Sequence, residues 1–193
     1  CNSARQHISF ISETKQTVLN LIELLLVLLQ HRSAFDKKMI ENLIPGIRNA
    51  VRAVITRNDS ILLQRKLDDN GYERYALPGG AQEHGERLVD ALQRECDEEI
   101  GTRVKVVDLL FVGDYFKLRQ TNPPTTRQLV EFLFACSVKP DYQAQNGPRP
   151  DKHQVEVLWV PLNQLTEINL VPSDYIELLL QQNPCRVYAG QLS

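Results

Sequence analysis

Short runs of aliphatic and β-branched residues, separated by polar turns, follow one another after residue 46. Residues 51–56 and 61–65 form two such runs, and the four polar residues between them predict a β-hairpin. Longer runs predict further strands at 104–115, 128–138 and 155–160. Apolar residues at helical spacing predict helices at about 86–100 and 173–182, and the proline-rich stretch 140–152 predicts an irregular loop. We therefore expect an α/β fold, an α/β/α sandwich with a mixed β-sheet.

The first 45 residues follow a different pattern. Apolar positions surround nearly the whole circumference of a helix predicted over 14–31, which indicates burial against another surface. A shorter helix is predicted over 35–43, and Ile44-Pro45-Gly46 is a turn signal. We interpret 1–45 as a helical N-terminal extension and 46–193 as the main domain. A self-associating helix there would make the chain a homodimer, so 1–45 is a candidate dimerisation element.

Composition and charge exclude several classes of partner. The formal net charge of −2 provides no general attraction to nucleic acid or to an anionic membrane, so we expect neither as a partner. The apolar run 18–29 is interrupted by Asn20 and Glu23. A membrane-spanning helix needs roughly 20 apolar residues, so we do not expect this run to cross a membrane. The four cysteines form no C-x-x-C pair, which is typical of a reducing compartment and predicts a cytoplasmic location.

The predicted helix 86–100 separates an apolar face from an acidic one. With about 3.6 residues per turn, one face carries Leu88, Val89, Leu92, Cys96 and Ile100. Cys96 is therefore expected to be a buried structural thiol. Glu95, Glu98 and Glu99 lie on an adjoining arc, where their mutual repulsion costs a few tenths of a kcal/mol per pair. Such a trio is either a solvated acidic face or a site for a hard divalent cation, which prefers oxygen ligands.

The loop before this helix favours the metal site. Leu77-Pro78-Gly79-Gly80 allows a tight turn and a close approach of the backbone to a ligand, so the Gly79 carbonyl is a candidate metal ligand.

The same segment resembles the Nudix box, G-x5-E-x7-R-E-U-x-E-E-x-G-U. All its fixed positions are matched, by Gly80, Glu86, Arg94, Glu95, Glu98, Glu99 and Gly101. Cys96 and Thr102 stand where the family prefers a bulky aliphatic residue, which affects packing rather than chemistry. The resemblance implies a Nudix-type fold for 46–193 and a MutT-like hydrolase activity.

By this resemblance the chain cleaves a diphosphate linkage in a nucleoside diphosphate derivative, such as an ADP-sugar, a dinucleotide or a nucleoside triphosphate, with Mg²⁺ or Mn²⁺. Glu95, Glu98, Glu99 and the Gly79 carbonyl would hold the metal, and Arg94 would orient the carboxylates. A small nucleotide would be the partner. A non-catalytic domain that senses a nucleotide and regulates a partner is the alternative, and a third is that residues 1–45 make the chain mainly a partner-binding element.

The general base stays open at this stage. His153 stands where some relatives have a loop glutamate, six residues before the tryptophan, and Asp151, Glu156 and Glu99 are further candidates.

Substrate contacts are expected from residues around the box. Arg65, Gly80, Glu131 and His153 are the favoured ones, and Arg65 is preferred among the cations because its strand leads toward the box loop. The other candidate cations are Arg52, Lys117, Arg119 and Arg127. Trp159 alternates with Val155 and Val157, which favours core packing over stacking on a nucleobase.

Overall fold

The computed structural model describes residues 42–181 and 186–193. The helix predicted over 14–31 lies outside the described residues, as does almost all of the one predicted over 35–43. The account below concerns the compact unit Ile44–Ser193. The extension and its role in dimerisation stay predictions. Within the described ranges, no helix is both long enough and apolar enough to cross a membrane.

The described residues form seven strands, two α-helices and one 3-10 helix. The strands are β1 (Arg48–Arg57), β2 (Ser60–Leu67), β3 (Glu73–Ala76), β4 (Lys105–Arg119), β5 (Thr125–Ser137), β6 (Gln154–Pro161) and β7 (Tyr188–Leu192). The helices are α1 (Leu88–Ile100), the 3-10 helix (Leu162–Glu167) and α2 (Tyr175–Leu180).

The strands build one mixed sheet, which confirms the expected fold class. Its order is β3-β2-β1-β5-β4-β7, and β6 pairs with β2. β1 runs parallel to β5 and β4 runs parallel to β7, whereas the remaining pairs are antiparallel. The predicted hairpin is β1–β2, and its turn residues Asn58 and Asp59 have φ of 51° and 53°, as a two-residue hairpin turn requires.

The loop that precedes α1 is inserted into the sheet. β1 and β2 pair only beside their turn, and beyond it the Pro78 carbonyl accepts a hydrogen bond from the Ala53 N–H over 2.8 Å. Gly79 has a φ of +129°, and a Cβ there would lie 2.1 Å from the Val51 carbonyl oxygen. Only glycine fits this position, because other residues would be strained and would overlap the backbone of β1. The insertion brings the box loop against the middle of β1.

Apolar side chains cover both faces of the sheet. α1 packs Leu92, Cys96 and Ile100 against one core cluster, and Tyr175 of α2 belongs to a second one. One residue departs from the predicted apolar face, since Val89 is 37% exposed. It lies in the first turn of α1, where Leu88 is half-buried against the core cluster and full burial begins at Ala91 and Leu92.

Candidate active site

Arg94 connects the acidic residues of α1 and the loop before it. Its Nε and Nη2 donate to both carboxylate oxygens of Glu86, over 2.7 and 3.0 Å. Its Nη1 donates to Glu95 Oε1 over 2.9 Å and lies 3.7 Å from Glu98 Oε2. The carboxylates of Glu86 and Glu95 raise the pKa of Arg94, and the guanidinium in turn lowers the pKa of Glu86. Much of the repulsion expected among the glutamates is therefore offset within the protein.

Glu95 lies directly against the box loop. A Cβ added to Gly80 would come within 2.5 Å of Glu95 Oε2, so the lack of a side chain at Gly80 makes room for this carboxylate. The same loop is fastened to the helix by Arg94 Nη2, which donates to the Ala81 carbonyl over 3.0 Å. Gly80 thus shapes the acidic surface of the site.

Glu99 of α1 is buried against β2. Its Oε2 accepts hydrogen bonds from Gln64 Nε2 over 2.6 Å and from the Gly79 N–H over 2.8 Å. Burial raises the pKa of Glu99 above its ordinary value, although the nearby charges of Lys66 and Arg52 and both hydrogen bonds favour the carboxylate. Glu99 lies two turns after Leu92 and thus on the inward face of α1, not on a separate acidic arc.

Arg52 joins the box loop to a buried carboxylate. Its Nη1 donates to the Gly79 carbonyl over 2.5 Å, and its Nη2 donates to Glu131 Oε1 over 2.9 Å. Glu131 is 0% exposed, and a buried carboxylate needs a partner of opposite charge, which the Arg52 guanidinium provides. The Gly79 carbonyl oxygen has two lone pairs, and one remains for a second partner.

Two polar residues of β2 point toward Glu99, and the sequence analysis missed both. Gln64 and Lys66 lie on the same face of the strand as Leu62, because side chains alternate along a strand. Lys66 is buried and forms an ion pair with Asp151 over 2.6 Å. The sequence did contain a signal for them, because the alternation of side chains along β2 places these two polar residues on the same interior face as Leu62.

Arg65, the favoured cation, lies on the other face of β2 and is engaged by two carboxylates. Its guanidinium binds Glu156 over 2.6 Å and Glu73 over 2.9 Å, which raises the pKa of Arg65. Among the other candidate cations, burial and the charges of Arg52, Arg74 and Lys66 lower the pKa of Lys117. Burial is the largest of these causes, and the three neighbouring cations add to it.

The candidates for the general base differ in how they are held. Asp151 is paired with Lys66, and Glu156 with Arg65. His153 has a looser contact, with 3.9 Å between its Nδ1 and Asp69 Oδ1, and its backbone carbonyl accepts a hydrogen bond from the Leu67 N–H. The loop before β6, which carries Asp151 and His153, also brings the Arg149 guanidinium to 3.2 Å from Glu98 Oε1.

Two predictions about side chains outside the site are confirmed. Trp159 packs against the core cluster below α1, and the Arg57 guanidinium lies 4.3 Å from the centre of its ring. Cys96 is a buried free thiol, and burial raises its pKa well above the ordinary value. A thiol in this state is a core residue rather than a nucleophile.

The donor atoms suit a hard divalent cation in part. Within 42–181 and 186–193, no three carboxylate, thiol or imidazole side chains are gathered closely enough to hold a metal by themselves. Glu95 and Glu98 lie together beside Arg94, and both recorded hydrogen bonds of Glu99 use Oε2, which leaves Oε1 available. Mg²⁺ is typically bound by one or two carboxylates, waters and substrate phosphates, and this oxygen-only set meets that need.

Comparison with known proteins agrees with the geometry. The family model described as NUDIX domain matches residues 46–180. The nucleoside triphosphatase NudI of Enterobacter sp. (strain 638) is 27% identical over 129 residues, which cover 64% of this chain and 88% of that protein. A MutT-like protein of Streptomyces ambofaciens is 32% identical over 118 residues, covering 61% of this chain and 66% of that protein.

Solved structures show the same fold. A crystal structure of UDP-X diphosphatase is 26% identical with a TM-score of 0.56, covering 81% of this chain and 74% of that one. The MutT protein of Methanosarcina mazei Go1, at 20% identity and a TM-score of 0.51 over 69% of this chain and 90% of its own, is similar in fold. With the family model spanning most of the chain and the box residues assembled around Arg94, the chain belongs to the Nudix family and is a Nudix pyrophosphohydrolase.

Proposed function

We propose that the chain hydrolyses a diphosphate linkage in a nucleoside diphosphate derivative and uses Mg²⁺ or Mn²⁺. The observation that carries the proposal is the grouping of Glu95 and Glu98 beside one guanidinium on α1, with Glu99 one residue further along the same helix. The oxygen atoms of these three acids match the ligand preference of both cations.

The contacts support a division of roles among these residues. Glu95, Glu98, Glu99 and the Gly79 carbonyl would hold the metal, which when bound would screen the diphosphate oxygens and lower the pKa of a water. Arg94 orients Glu95 and Glu98 through its hydrogen bond and ion pair. Gln64 orients Glu99. Positioning of this kind supplies much of the rate in phosphoryl transfer.

We infer that the substrate phosphates would bind on the cationic side of the site. Lys66 and Arg52 carry charge close to Glu99, and Lys117 adds a third cation. Arg65 would contribute less to phosphate binding than the sequence analysis anticipates, because two carboxylates already neutralise it. Gly80, Glu131 and His153 stay proposed substrate contacts, Gly80 through its backbone and Glu131 through Arg52.

Among the candidate bases, His153 and Glu99 could accept a proton without first breaking a close ion pair. Asp151 and Glu156 each hold a cation at 2.6 Å, so proton transfer to either would compete with that cation. A base must also reach the attacking water, which the bound substrate positions.

We propose only the diphosphate linkage as the common feature of the substrates, and a panel of nucleotides would identify the class. One relative is named a nucleoside triphosphatase and one structural neighbour a UDP-X diphosphatase, so nucleoside triphosphates and nucleotide sugars come first in a panel that also contains ADP-sugars and dinucleotides. Activity would be measured as released phosphate or nucleoside monophosphate with Mg²⁺, with Mn²⁺ and with excess chelator. Hydrolysis that persists in the chelator would contradict the metal requirement.

Glu98→Gln tests the carboxylate itself. The side chain keeps its shape but loses its charge, so we expect turnover to fall more than about 100-fold while the thermal unfolding midpoint stays near that of the wild type. Glu167→Gln is the matched control, since Glu167 is exposed and distant in sequence from the box. Wild-type turnover in Glu98→Gln would reject the site. Tight nucleotide binding by a wild-type chain without any hydrolysis would favour the sensing alternative.

We further propose a homodimer formed through residues 1–45 and a cytoplasmic location, both from the sequence pattern alone. Light scattering on the full chain and on a chain that starts at residue 46 would compare their masses. Equal monomer masses at micromolar concentration would contradict the dimer.

A further inference from the structure

The last turn of α1 is capped by a distant stretch of chain. The final carbonyls of a helix have no partner within the helix, and the last turn of α1 has no basic side chain to compensate. Here the carbonyls of Glu98, Glu99 and Ile100 all accept hydrogen bonds from residues 140–154, the cap segment. The donors are Tyr142 Oη to Ile100, the Gly147 N–H and Gln154 Nε2 to Glu99, and the Arg149 N–H to Glu98, at 2.8–2.9 Å.

The cap segment approaches the end of α1 so closely that position 147 has no room for a side chain. A Cβ at Gly147 would lie 2.4 Å from the Glu98 carbonyl oxygen and 2.6 Å from the Gly101 nitrogen. Arg149 adds a side-chain contact to its backbone one, because its guanidinium lies 3.2 Å from Glu98 Oε1. The cap segment therefore touches both the backbone and the carboxylate of Glu98.

Both ends of the cap segment are fastened to the sheet. At its start, Arg57 donates to the carbonyls of Pro140 and Tyr142, each over 3.1 Å, while its guanidinium stacks on Trp159. At its other end, Asp151 binds the buried Lys66. The cap segment, in which only Gln154 belongs to a strand, is thus held at a fixed position relative to the sheet and holds the end of α1 through its hydrogen bonds.

We propose that the cap segment is a positioning element that fixes Glu98 and Glu99 for metal binding, with Tyr142 and Gln154 as its positioning residues. Helix ends fray more readily than helix interiors, and both glutamates lie in the last turn. A metal site requires its ligands to be held within about 0.5 Å. The metal role rests on the proposed function, whereas the hold on the helix end does not.

Hydrogen exchange tests that hold without metal. Tyr142→Phe removes only the hydroxyl that donates to the Ile100 carbonyl. Gln154→Leu removes one of the two donors to the Glu99 backbone carbonyl, together with the bond from Gln154 to Asn146. We expect amide exchange at 97–101 to rise about fivefold in each variant. Tyr72→Phe is the matched control, because Tyr72 is exposed and its hydroxyl has no recorded partner in the described chain. Unchanged exchange in both variants would overturn the proposal.

Manganese binding then separates positioning from stability. Calorimetric titration of the full-length variants with Mn²⁺ should give a Kd about tenfold weaker than in the wild type, and kcat at saturating metal should fall more than KM changes. Faster exchange with wild-type Mn²⁺ affinity and kcat would overturn the positioning role, since the cap segment would then only stabilise the fold. A wild type that neither binds Mn²⁺ nor hydrolyses any nucleotide would reject the proposed function, and the exchange data would still decide whether the helix end is held.

Discussion

Gln64 donates a hydrogen bond from Nε2 to Glu99 Oε2 over 2.6 Å, and both residues are buried. The contact links the middle of β2 to the last turn of α1. It leaves the second oxygen of Glu99 for another partner, because the Gly79 N–H binds the same Oε2. Buried polar side chains are usually hydrogen-bonded, and the bond that Gln64 donates to Glu99 makes it part of the support of the site.

We expect Gln64→Leu to lower kcat about 10- to 100-fold, because Glu99 would lose the contact that orients it. The free energy of unfolding should fall by about 1 kcal/mol, since the Gly79 N–H still binds the carboxylate. Steady-state kinetics with Mg²⁺ and chemical denaturation would measure the two effects. Gln164→Leu serves as the control, because Gln164 is exposed and lies in the 3-10 helix, outside the site and the cap segment. Equal kcat values for the two variants would show that Gln64 has no role in the reaction.

Arg94→Lys tests the guanidinium that contacts Glu86, Glu95 and Glu98. Lysine has a single ammonium group and cannot bind both oxygens of Glu86 while also reaching Glu95 and the Ala81 carbonyl. We expect a loss of about 1–3 kcal/mol in the free energy of unfolding and a loss of at least about 10-fold in kcat.

Arg87→Lys is a stringent control for this change. Arg87 also binds both oxygens of one acid, Asp90, but its side chain is 83% exposed, compared with 25% for Arg94. Exposed ion pairs contribute little, so stability should change by less than about 0.5 kcal/mol and kcat should be unaffected. Similar losses in the two lysine variants would mean that the position of Arg94 in the site is unimportant.

The pair formed by Asp151 and Lys66 predicts a pH-dependent contribution to stability. Burial opposes ionisation of Asp151, but the charge and hydrogen bond of Lys66 hold its pKa below the ordinary value in the folded protein. A pKa lower in the folded than in the unfolded state favours folding above the unfolded value of about 3.9, and this contribution disappears as the pH falls through the folded pKa.

Asp151→Asn should therefore lower the Tm at pH 5–7, and its Tm should approach that of the wild type near pH 2. Thermal unfolding at several pH values would record the difference. Asp69→Asn is the control, since Asp69 is 78% exposed and its ion pair with Lys152 is on the surface. A Tm difference for Asp151→Asn that is the same at every pH would contradict the ion pair as its cause.

Local periodicity predicted the elements whose residues interact with near neighbours. The β1–β2 hairpin follows from two aliphatic runs around a polar turn, and α1 follows from its apolar stripe. The strands β3 and β7 were not predicted. β3 has only four residues, and β7 pairs with β4, which lies far from it in the chain, so neither carries a strong local pattern.

The same distinction applies to the site. Helical spacing and a contiguous family motif placed Glu95, Glu98 and Glu99 on one acidic arc, whereas in the structure Glu99 lies on the inward face of α1. Arg65 was preferred because its strand leads toward the box loop, and Lys66, the next residue of the same strand, was not among the candidates. The choice between them depends on which face of β2 meets α1, and this is known only once the strands are paired.

The sequence by itself determined the mixed α/β fold, the helix that carries the three glutamates and membership of the Nudix family, because these depend on spacing within one segment. The tertiary structure decided that Glu99 is buried against Gln64, that Arg52 binds both Gly79 and Glu131, and that residues 140–154 close the end of α1. Each of these contacts joins residues more than 25 positions apart in the chain. Periodicity describes the direction of a side chain relative to its own helix or strand, whereas the partner it meets depends on how those elements pack.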